Sequence, residues 1–369
     1  MESIMELNPT VCVVKNEYQI IIITKKDALI KIKVGDEIFY NHSNGIRISS
    51  KGVHKFFIPQ HLLDKEKCYT VFAKEMVERL AYHSKTKEEV KKDFKFKPIT
   101  KTKNINIYHL ADVHGKKDMA IGCAKKADKE IDLLVLNGDI SSTSNTFDDI
   151  ILSYKIASEI TNGEIPCVIS RGNHDLRGPG AERLADYMPT DNGKSYYTFK
   201  TGCIWGILID AGEDKNDDHP EYADTMCCHI FRKEQEKEIK KVIENAKSEY
   251  EKDDVKYKLI ISHIPFTFKY KEVHNIEKEL YTSIAKLLRE NIKPNLMLCG
   301  HTHIKCISTP KSEYDYLGHP CTVVVGSDER CDTDKARILS GALITLNNQN
   351  FDVSFNTQNK IYETQTLSY

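Results

Sequence analysis

The first 82 residues alternate short apolar runs with turn-forming residues. The apolar runs span residues 9–15, 18–24, 29–40, 45–50, 53–59 and 68–82. Short strands at this spacing, without long amphipathic helices between them, are typical of a small β-sandwich. The pattern therefore predicts an all-β sandwich module over residues 1–83.

The next segment, residues 84–104, is dense in lysine and nearly free of large aliphatic residues. Such a composition favours a solvated linker. A nucleic-acid-binding patch is the weaker interpretation, because acidic residues are mixed with the lysines and aromatic residues are few. We predict a charged linker and a domain boundary here.

From residue 105 the rhythm changes to apolar strand, polar loop and amphipathic helix. Helices are predicted near 117–130, 146–162, 232–250 and 277–291, and strands at 105–111, 131–137, 165–170, 203–210, 257–262, 294–299, 321–326 and 338–346. Strands that alternate with helices predict a layered α/β domain over residues 105–369, with ligands bound where the strands end.

Composition narrows the class of partner and the compartment. The formal net charge is -1, so no global field attracts nucleic acid or anionic lipid. The N-terminus does not resemble a secretory signal and no apolar stretch is long enough to cross a bilayer. The 11 cysteines are scattered and include no C-x-x-C pair. These features predict a cytoplasmic protein with reduced thiols, without a membrane partner.

Five predicted strands end in side chains that bind metals. Carboxylate, imidazole or amide groups follow each strand, at Asp112 and His114, Asp139, Asn173, His263, and His301 and His303. Strand ends on one edge of a sheet converge in space even when they are far apart in sequence. We therefore expect these seven side chains to form a single site.

The ligand types indicate the metal class. Imidazole with carboxylate, and no thiolate, suits zinc, manganese, iron or nickel, whereas calcium prefers oxygen ligands and structural zinc prefers cysteine. Seven ligands are too many for one ion that keeps an open position. We expect two divalent ions about 3.5–4 Å apart, with Asp139 able to bridge them.

The motif series resembles the calcineurin-like metallophosphoesterases. It comprises Asp112-Val113-His114, Gly138-Asp139, the RGNHD segment at 171–175, Ser262-His263-Ile264-Pro265 and the GHTH segment at 300–303, and it spans about residues 105–350. The resemblance implies two mixed sheets packed face to face with helices outside, a four-layer α/β/β/α domain. The N-terminal module, described as fibronectin III-like, gives a layout similar to purple acid phosphatases.

The same resemblance implies how the ligands divide. Asp112, His114, Asp139 and His303 would hold the first metal, and Asp139, Asn173, His263 and His301 would hold the second. Purple acid phosphatases carry a tyrosine three residues after the Gly-Asp aspartate, where this chain has Ser142. Protein phosphatases of the family have an arginine soon after it, which is missing here, so a phosphoprotein substrate is disfavoured.

Four further residues are candidates outside the ligand set. We expect His174 to act as an acid or charge-stabilising donor at the leaving group, and Asp175 to orient an imidazole. Arg171 is a candidate for pairing with a substrate phosphate, although a structural ion pair is an equal alternative. His229, in the polar segment 211–231, is a candidate for lining the substrate pocket, and we expect segments 176–200 and 211–231 to set specificity.

The residues together predict a metal-dependent hydrolase of small phosphate esters. A hydroxide that bridges two ions would attack phosphorus in line, without a serine or cysteine nucleophile. Phosphomonoesters are slightly favoured over diesters. One alternative is a nuclease or a cyclic-nucleotide phosphodiesterase, and the balanced charge disfavours the nuclease. Another is a non-enzymatic adaptor with the same fold, which would be expected to have lost some of the metal ligands. The oligomeric state is left open by the sequence.

Overall fold

The computed structural model describes residues 1–326, 328–330 and 337–369. Its N-terminal strands are β1 Thr10–Val14, β2 Glu17–Thr24, β3 Ala28–Val34, β4 Glu37–Tyr40, β5 His42–Ser43, β6 Ile46–Arg47, β7 Gly52–Pro59, β8 Cys68–Arg79, β9 Ser84–Thr86 and β10 Val90–Lys95. The later strands are β11 Ile105–Leu110, β12 Leu133–Asn137, β13 Pro166–Ser170, β14 Tyr197–Thr201, β15 Ile204–Leu208, β16 Tyr257–Ile261, β17 Leu296–Cys299, β18 Cys306–Ser308, β19 Thr322–Val325, β20 Asp328–Arg330, β21 Arg337–Leu339, β22 Gly341–Leu346, β23 Asn350–Asn356 and β24 Gln365–Ser368.

The helices lie between these strands, and all but α1 follow residue 105. They are α1 Gln60–Glu66, α2 Lys117–Lys126, α3 Phe147–Ile150, α4 Leu152–Thr161, α5 Leu184–Tyr187, α6 Cys228–Glu244 and α7 Lys278–Leu287, with a π-helical turn at Leu288–Ile292. The predicted helix at 146–162 is divided at Ile151 into α3 and α4. Among the described residues, no helix has both the length and the apolar character needed to cross a bilayer.

Two mixed sheets form the centre of the molecule. The larger has the strand order β24-β23-β22-β11-β12-β13-β1-β2-β7, and the smaller has the order β14-β15-β16-β17-β19-β18. Within them β11, β12 and β13 are mutually parallel, as are β15, β16, β17 and β19. Parallel neighbours place their carboxyl ends on the same edge, so several loops open at one edge of each sheet.

The apolar core occupies three levels. Inward residues of the nine-stranded sheet, such as Ile107 and Val135, pack against Leu259 and Leu298 of the six-stranded sheet. Helices α2 and α4 cover the outer face of the larger sheet, and α6 and α7 cover that of the smaller sheet. The predicted α/β/β/α layering of the second part of the chain is confirmed.

The N-terminal region departs from the predicted separate module. It does contain two packed sheets, because β3, β4, β8, β9 and β10 form a five-stranded sheet whose buried face shares a core with β2 and β7. However, β1, β2 and β7 belong to the nine-stranded sheet, in which β1 pairs with β13 in parallel. Strands from the region predicted as a sandwich, 1–83, and from the region predicted as a catalytic domain, 105–369, therefore share one sheet.

The predicted linker at 84–104 also contains structure. Residues Val90–Lys95 form β10, which pairs along its whole length with β8. Phe94 and Phe96 are buried, at 6% and 2% exposure, while the lysines between and before them are exposed. Alternation places these two rings on one face of the strand. A high lysine content concealed this period of two in the sequence.

We predict that residues 105–369 do not fold without the N-terminal region. Removal of the N-terminal region would leave the edge of β13 unpaired and would expose the apolar residues that β1 and β2 cover. Both changes favour aggregation. Thermal unfolding and size-exclusion chromatography of the isolated 105–369 segment should show no cooperative folded species. Co-expression with residues 1–104 should restore it. A cooperatively unfolding, monomeric 105–369 segment would contradict the shared-sheet interpretation.

We also predict an acid-sensitive contribution from His54, which is fully buried on β7. Burial lowers its pKa from 6.5 to about 4. The unfolded chain binds this proton more readily than the folded chain, so stability is complete above pH 6.5 and is lost as pH falls towards 4. The loss amounts to about 3 kcal/mol at most.

The measurement is urea unfolding of the metal-free protein between pH 7 and 4. A His54→Gln variant should lose less free energy of unfolding across this window than the wild type. His61→Gln, at an exposed histidine of α1, serves as the matched control and should follow the wild-type curve. Identical pH dependence in His54→Gln and wild type would show that His54 is not responsible.

Candidate metal centre and active-site cleft

The structure brings all seven predicted ligands to one place. They follow the carboxyl ends of β11, β12 and β13 in one sheet and of β16 and β17 in the facing sheet. Their donor atoms form three overlapping groups, in each of which all the atoms lie within 4.8 Å of one another. The groups are Asp112, His114 and His303; His114, Asp139 and His174; and Asp139, His263 and His301.

Individual distances show how closely the two sheets approach. His263 Nε2 lies 3.2 Å from Asp139 Oδ2 and 3.8 Å from Asp112 Oδ1. His301 Nδ1 lies 3.0 Å from Asn173 Oδ1, so the amide joins the same cluster. Because Asp139 and His114 each belong to two of the three groups, the donors form one continuous cluster rather than separate sites.

The donor set fits a divalent cation. His263 Nε2 is buried and has no hydrogen-bond partner within the described part of the chain, although two carboxylates face it. Burial opposes a charge on this ring, but Asp139 and Asp112 raise the pKa of His263 to about 10. In the metal-free protein a proton on His263 thus balances the two carboxylates, and a bound cation would take over this role.

Asn137 fixes the orientation of His263 and joins the two sheets. It is fully buried at the end of β12 and its backbone carbonyl accepts a hydrogen bond of 2.7 Å from His263 Nδ1. Its side-chain amide donates to Leu298 O at 2.9 Å, in β17 of the facing sheet. Ser170 Oγ donates to its side-chain oxygen at 2.7 Å. Nδ1 of His263 is thereby engaged, which leaves Nε2 for the cluster.

Asn137 has a further partner in His109 of β11. The side-chain nitrogen of Asn137 lies 3.0 Å from His109 Nε2. Burial lowers the pKa of His109 to about 3, so the ring is neutral and its Nε2 accepts from the amide. Sequence reasoning missed Asn137, because an asparagine that closes an apolar strand carries no metal-ligand signal of its own.

Backbone groups hold Asp139 in place. Asp175 Oδ2 accepts hydrogen bonds from the backbone N–H groups of Asp139 (3.0 Å) and Gly172 (2.7 Å). The backbone N–H of His174 donates to Asp139 Oδ1 at 2.9 Å. Burial and the charge of Asp139 raise the pKa of Asp175 to about 7. Asp175 therefore holds Asp139 by accepting from the backbone N–H of Asp139, and not by orienting an imidazole.

Glycine at 172 permits this close approach. A Cβ atom on Gly172 would lie 2.3 Å from Asp139 Oδ1 and 2.7 Å from His263 Cδ2. Both distances are far below van der Waals contact, so a side chain there would displace a cluster residue. The glycine of the RGNHD segment therefore leaves room for the cluster.

Five of the seven predicted ligands have left-handed backbone conformations. They are Asp112, His114, Asp139, His301 and His303, with φ between 46° and 67°. Each such residue costs on the order of 1–2 kcal/mol relative to an ordinary conformation. Non-glycine residues in this region cluster at functional sites, where the surrounding structure enforces them. The strain therefore marks the same residues that the motifs had indicated.

His174 stands at the edge of the cluster. Its Nδ1 lies 3.1 Å from the carbonyl of Ser142, and its ring centroid lies 4.9 Å from that of His114. If Nδ1 carries the proton that this carbonyl accepts, Nε2 is the atom left for a ligand. This geometry places an imidazole beside the donors and within the cleft.

Two candidate substrate-binding residues lie elsewhere. Arg171 forms an ion pair with Asp210 and lies 5.4 Å from the ring centroid of Phe231, so the structural alternative describes it. His229 lies in the first turn of α6, and its Nδ1 lies 2.8 Å from a carboxylate oxygen of Glu277. Neither residue lines the cleft at the cluster.

The cleft above the cluster has a volume of about 990 Å³ and contains cations that the sequence did not single out. Arg177 is held by a bidentate ion pair with the buried Glu213, at 2.9 and 3.1 Å. Lys215 pairs with Asp214 at 3.0 Å. These residues fall within the two segments expected to set specificity, 176–200 and 211–231.

Asp214 is a second residue that sequence reasoning missed. Its Oδ2 lies 3.2 Å from His274 Nδ1 and 3.9 Å from His301 Nε2. Burial would raise its pKa, but the charges of His301 and Lys215 hold it below its usual range. Asp214 follows β15, which is parallel to β16 in the six-stranded sheet. A search for ligand side chains after each predicted strand, extended to the segment AGED, would have found it.

We predict that Asp139→Asn loses metal affinity while keeping the fold. Asparagine preserves the oxygen that accepts from His174 N, but it removes the charge that two cations would share. Isothermal titration with Mn²⁺ and Zn²⁺ should show a loss exceeding roughly 100-fold, more than the removal of a supporting residue costs.

Asp118→Asn is the matched control for this substitution. Its carboxylate lies in the first turn of α2 with 96% side-chain exposure, and its removal should leave metal affinity unchanged. Wild-type metal affinity in Asp139→Asn would contradict the assignment of the cluster as the metal centre.

Comparison with known proteins agrees with the fold and the cluster. Residues 105–305, more than half of the chain, match the family model for calcineurin-like phosphoesterases. A purple acid phosphatase, PPD1, from yellow lupin (Lupinus luteus) seeds superposes with a TM-score of 0.63 at 12% identity, over 98% of this chain and 74% of the phosphatase chain. PhoD superposes with a TM-score of 0.56 at 12% identity, over 99% of this chain and 89% of the PhoD chain.

No curated protein matches the chain in sequence. At such low identity the two structural likenesses establish the fold alone, and the family match carries the assignment. The superposition on the purple acid phosphatase covers the N-terminal region as well as the later strands. The chain belongs to the calcineurin-like phosphoesterase family and is a metal-dependent hydrolase of phosphoester bonds.

Proposed function

We propose that the protein hydrolyses small phosphomonoesters with two divalent ions held by the cluster. The observation that carries this proposal is the overlap of the three donor groups, which share Asp139 and His114. Seven ligands exceed the coordination of one ion with an open position, so a pair fits better. The division implied by the family motifs assigns Asp112, His114 and His303 to one ion, Asn173, His263 and His301 to the other, and Asp139 to both.

The identity of the ions follows the donor chemistry. Imidazole, carboxylate and amide donors without thiolate support manganese, iron, zinc or nickel. When bound, such ions neutralise the charge of the phosphoryl group and activate water for attack on it. Ser142 occupies the position of the tyrosine found in purple acid phosphatases, so we do not expect a purple colour.

The protein's own residues then act at the leaving group. As a water oxygen forms its bond to phosphorus, the ester P–O bond breaks and the leaving oxygen needs a proton. We propose that the doubly protonated imidazole of His174 supplies this proton from Nε2, while its Nδ1–H donates to the Ser142 carbonyl. Asp175 and the His174 backbone N–H keep Asp139 fixed during this step.

The charges of the cleft support monoesters as the leading substrate class. Arg177, Lys215, Lys269 and Lys271 line it together with the cluster. A monoester carries more negative charge on its phosphoryl group than a diester, and therefore gains more from these cations. Diester hydrolysis is the second candidate, since the cleft is open enough for a second substituent.

A nuclease activity lacks a comparable observation. The net charge is -1, and the cations of the cleft form a local group and not an extended basic track. We propose a small-molecule substrate and a reducing, cytoplasmic location. All ten cysteines in the described part of the chain are free, which supports the second proposal.

We predict that His174→Ala lowers kcat by roughly 100- to 10,000-fold for an alkyl monoester such as glycerol 1-phosphate. The loss should be much smaller for p-nitrophenyl phosphate, whose leaving group needs little protonation. Steady-state kinetics of the manganese-reconstituted enzyme measure both substrates, and bis-p-nitrophenyl phosphate tests diesters alongside.

His229→Ala is the matched control, because this histidine pairs with Glu277 outside the cluster. Its kcat should remain within about twofold of the wild-type value, an effect that small surface changes produce. Wild-type kcat in His174→Ala with the alkyl ester would contradict the proposed acid role of His174. The assignment of the metal centre would be affected only if this variant also lost metal affinity.

A further inference from the structure

One wall of the cleft is built from aromatic side chains that the metal centre does not use. Phe268, Tyr270 and Tyr314 line the cleft together with Asp139, His174 and His301. The ring centroid of Tyr270 lies 5.9 Å from that of His301, so the wall begins beside the cluster. Tyr314 is 39% exposed, whereas Phe268 behind it is buried.

Three rings are stacked in this wall. Tyr314 and Phe268 have centroids 5.3 Å apart and planes within 12° of parallel. Phe268 and His319 have centroids 5.3 Å apart and planes within 22°. The outermost ring is thus the exposed end of a stack that continues into the interior.

Hydrogen bonds immobilise the base of the stack. His319 is 1% exposed, and its two ring nitrogens lie 2.7 Å from Thr267 Oγ1 and 2.9 Å from Ser308 Oγ. Asp315, next to Tyr314, accepts from the backbone N–H of His319 at 2.7 Å. A ring whose support is fixed in this way can bind a second flat group with little loss of conformational freedom.

The wall also carries cations. Lys269 and Lys271 alternate with Phe268 and Tyr270 along the segment, and all four line the cleft. Within the described residues neither lysine has a carboxylate partner within 4.0 Å, in contrast to Arg177 and Lys215. Flat rings beside unneutralised lysines match a ligand that joins a planar group to an anion.

We propose that this wall is a subsite for a planar aromatic group carried by the phosphate ester, with Tyr314 as the specificity-determining stacking residue. The proposal rests on the proposed function, since the phosphoryl group would lie at the metal cluster while the aromatic group lies against Tyr314. The aromatic group has two sources of the same chemistry, a nucleobase or a phenol. The wall does not touch the phosphorus, so it acts on binding and not on the chemical step.

The test compares three monoesters on the manganese-reconstituted protein: adenosine 5′-monophosphate, p-nitrophenyl phosphate and glycerol 1-phosphate. Tyr314→Ala should raise KM for the aromatic esters by about 10-fold or more, within the range of aromatic stacking. Its KM for glycerol 1-phosphate and its kcat for all three should stay within about twofold. A response with both aromatic esters indicates that any flat ring is accepted, and a response with the nucleotide alone indicates a nucleobase; both support the subsite.

Two variants control for structural damage. Tyr314→Phe keeps the ring and should keep wild-type KM values. Tyr316→Ala removes a tyrosine of equal exposure, 40%, that does not line the cleft, and should leave all three KM values unchanged. Equal increases for aromatic and alkyl esters in Tyr314→Ala, or no increase for any, would overturn the proposal.

A binding experiment separates this proposal from the proposed function. Adenosine, which has no phosphate, is titrated into the metal-free protein, and its affinity is compared between wild type and Tyr314→Ala. Tyr314-dependent binding of adenosine, without hydrolysis of any of the three esters, would contradict the proposed phosphomonoester hydrolysis and support the subsite. Hydrolysis of all three esters, with identical adenosine titrations in wild type and Tyr314→Ala, would sink the subsite and leave the hydrolase standing.

Discussion

The buried amide of Asn137 joins the two sheets beneath the candidate metal centre. It spans from the nine-stranded sheet to Leu298 of the six-stranded sheet, and the backbone carbonyl of the same residue orients His263. In a dry interior every one of these polar atoms needs its partner, because an unsatisfied amide or carbonyl costs about 1–3 kcal/mol. The two carboxyl edges are therefore held at the separation at which their loops can share ligands.

The cluster above this link combines several unfavourable features. Asp112 and Asp139 are buried carboxylates facing His263, and five ligand residues have left-handed backbones. The large shared core supplies the stability that maintains such an arrangement. A bound cation would change the balance, because it would replace the proton on His263 and neutralise the carboxylates. The residues that weaken the metal-free fold are therefore the ones that would hold the metal.

The cleft assigns different tasks to the two sheets. Loops after β11, β12 and β13 supply four of the predicted ligands and His174, whereas most of the remaining lining follows strands of the six-stranded sheet. The N-terminal strands contribute no lining residue to this cleft. Their contribution is structural, since β1 covers the edge of β13 and the five-stranded sheet shares the core beneath β2 and β7.

The sequence by itself determined the ligand types at the strand ends, the layered fold and the parallel strands of the two sheets, namely β11, β12, β13, β15, β16, β17 and β19. Periodicity and donor chemistry are local properties of the chain. The sequence did not determine that β1 pairs with β13, since strand pairing uses backbone groups that are the same in every residue. Asn137 and the stack behind Tyr314 were likewise beyond it, because their roles depend on contacts across more than 40 residues of sequence. Arg171 lies in a ligand motif and was a candidate for binding substrate phosphate, but it forms an ion pair with Asp210. Only the folded chain brings these two residues together.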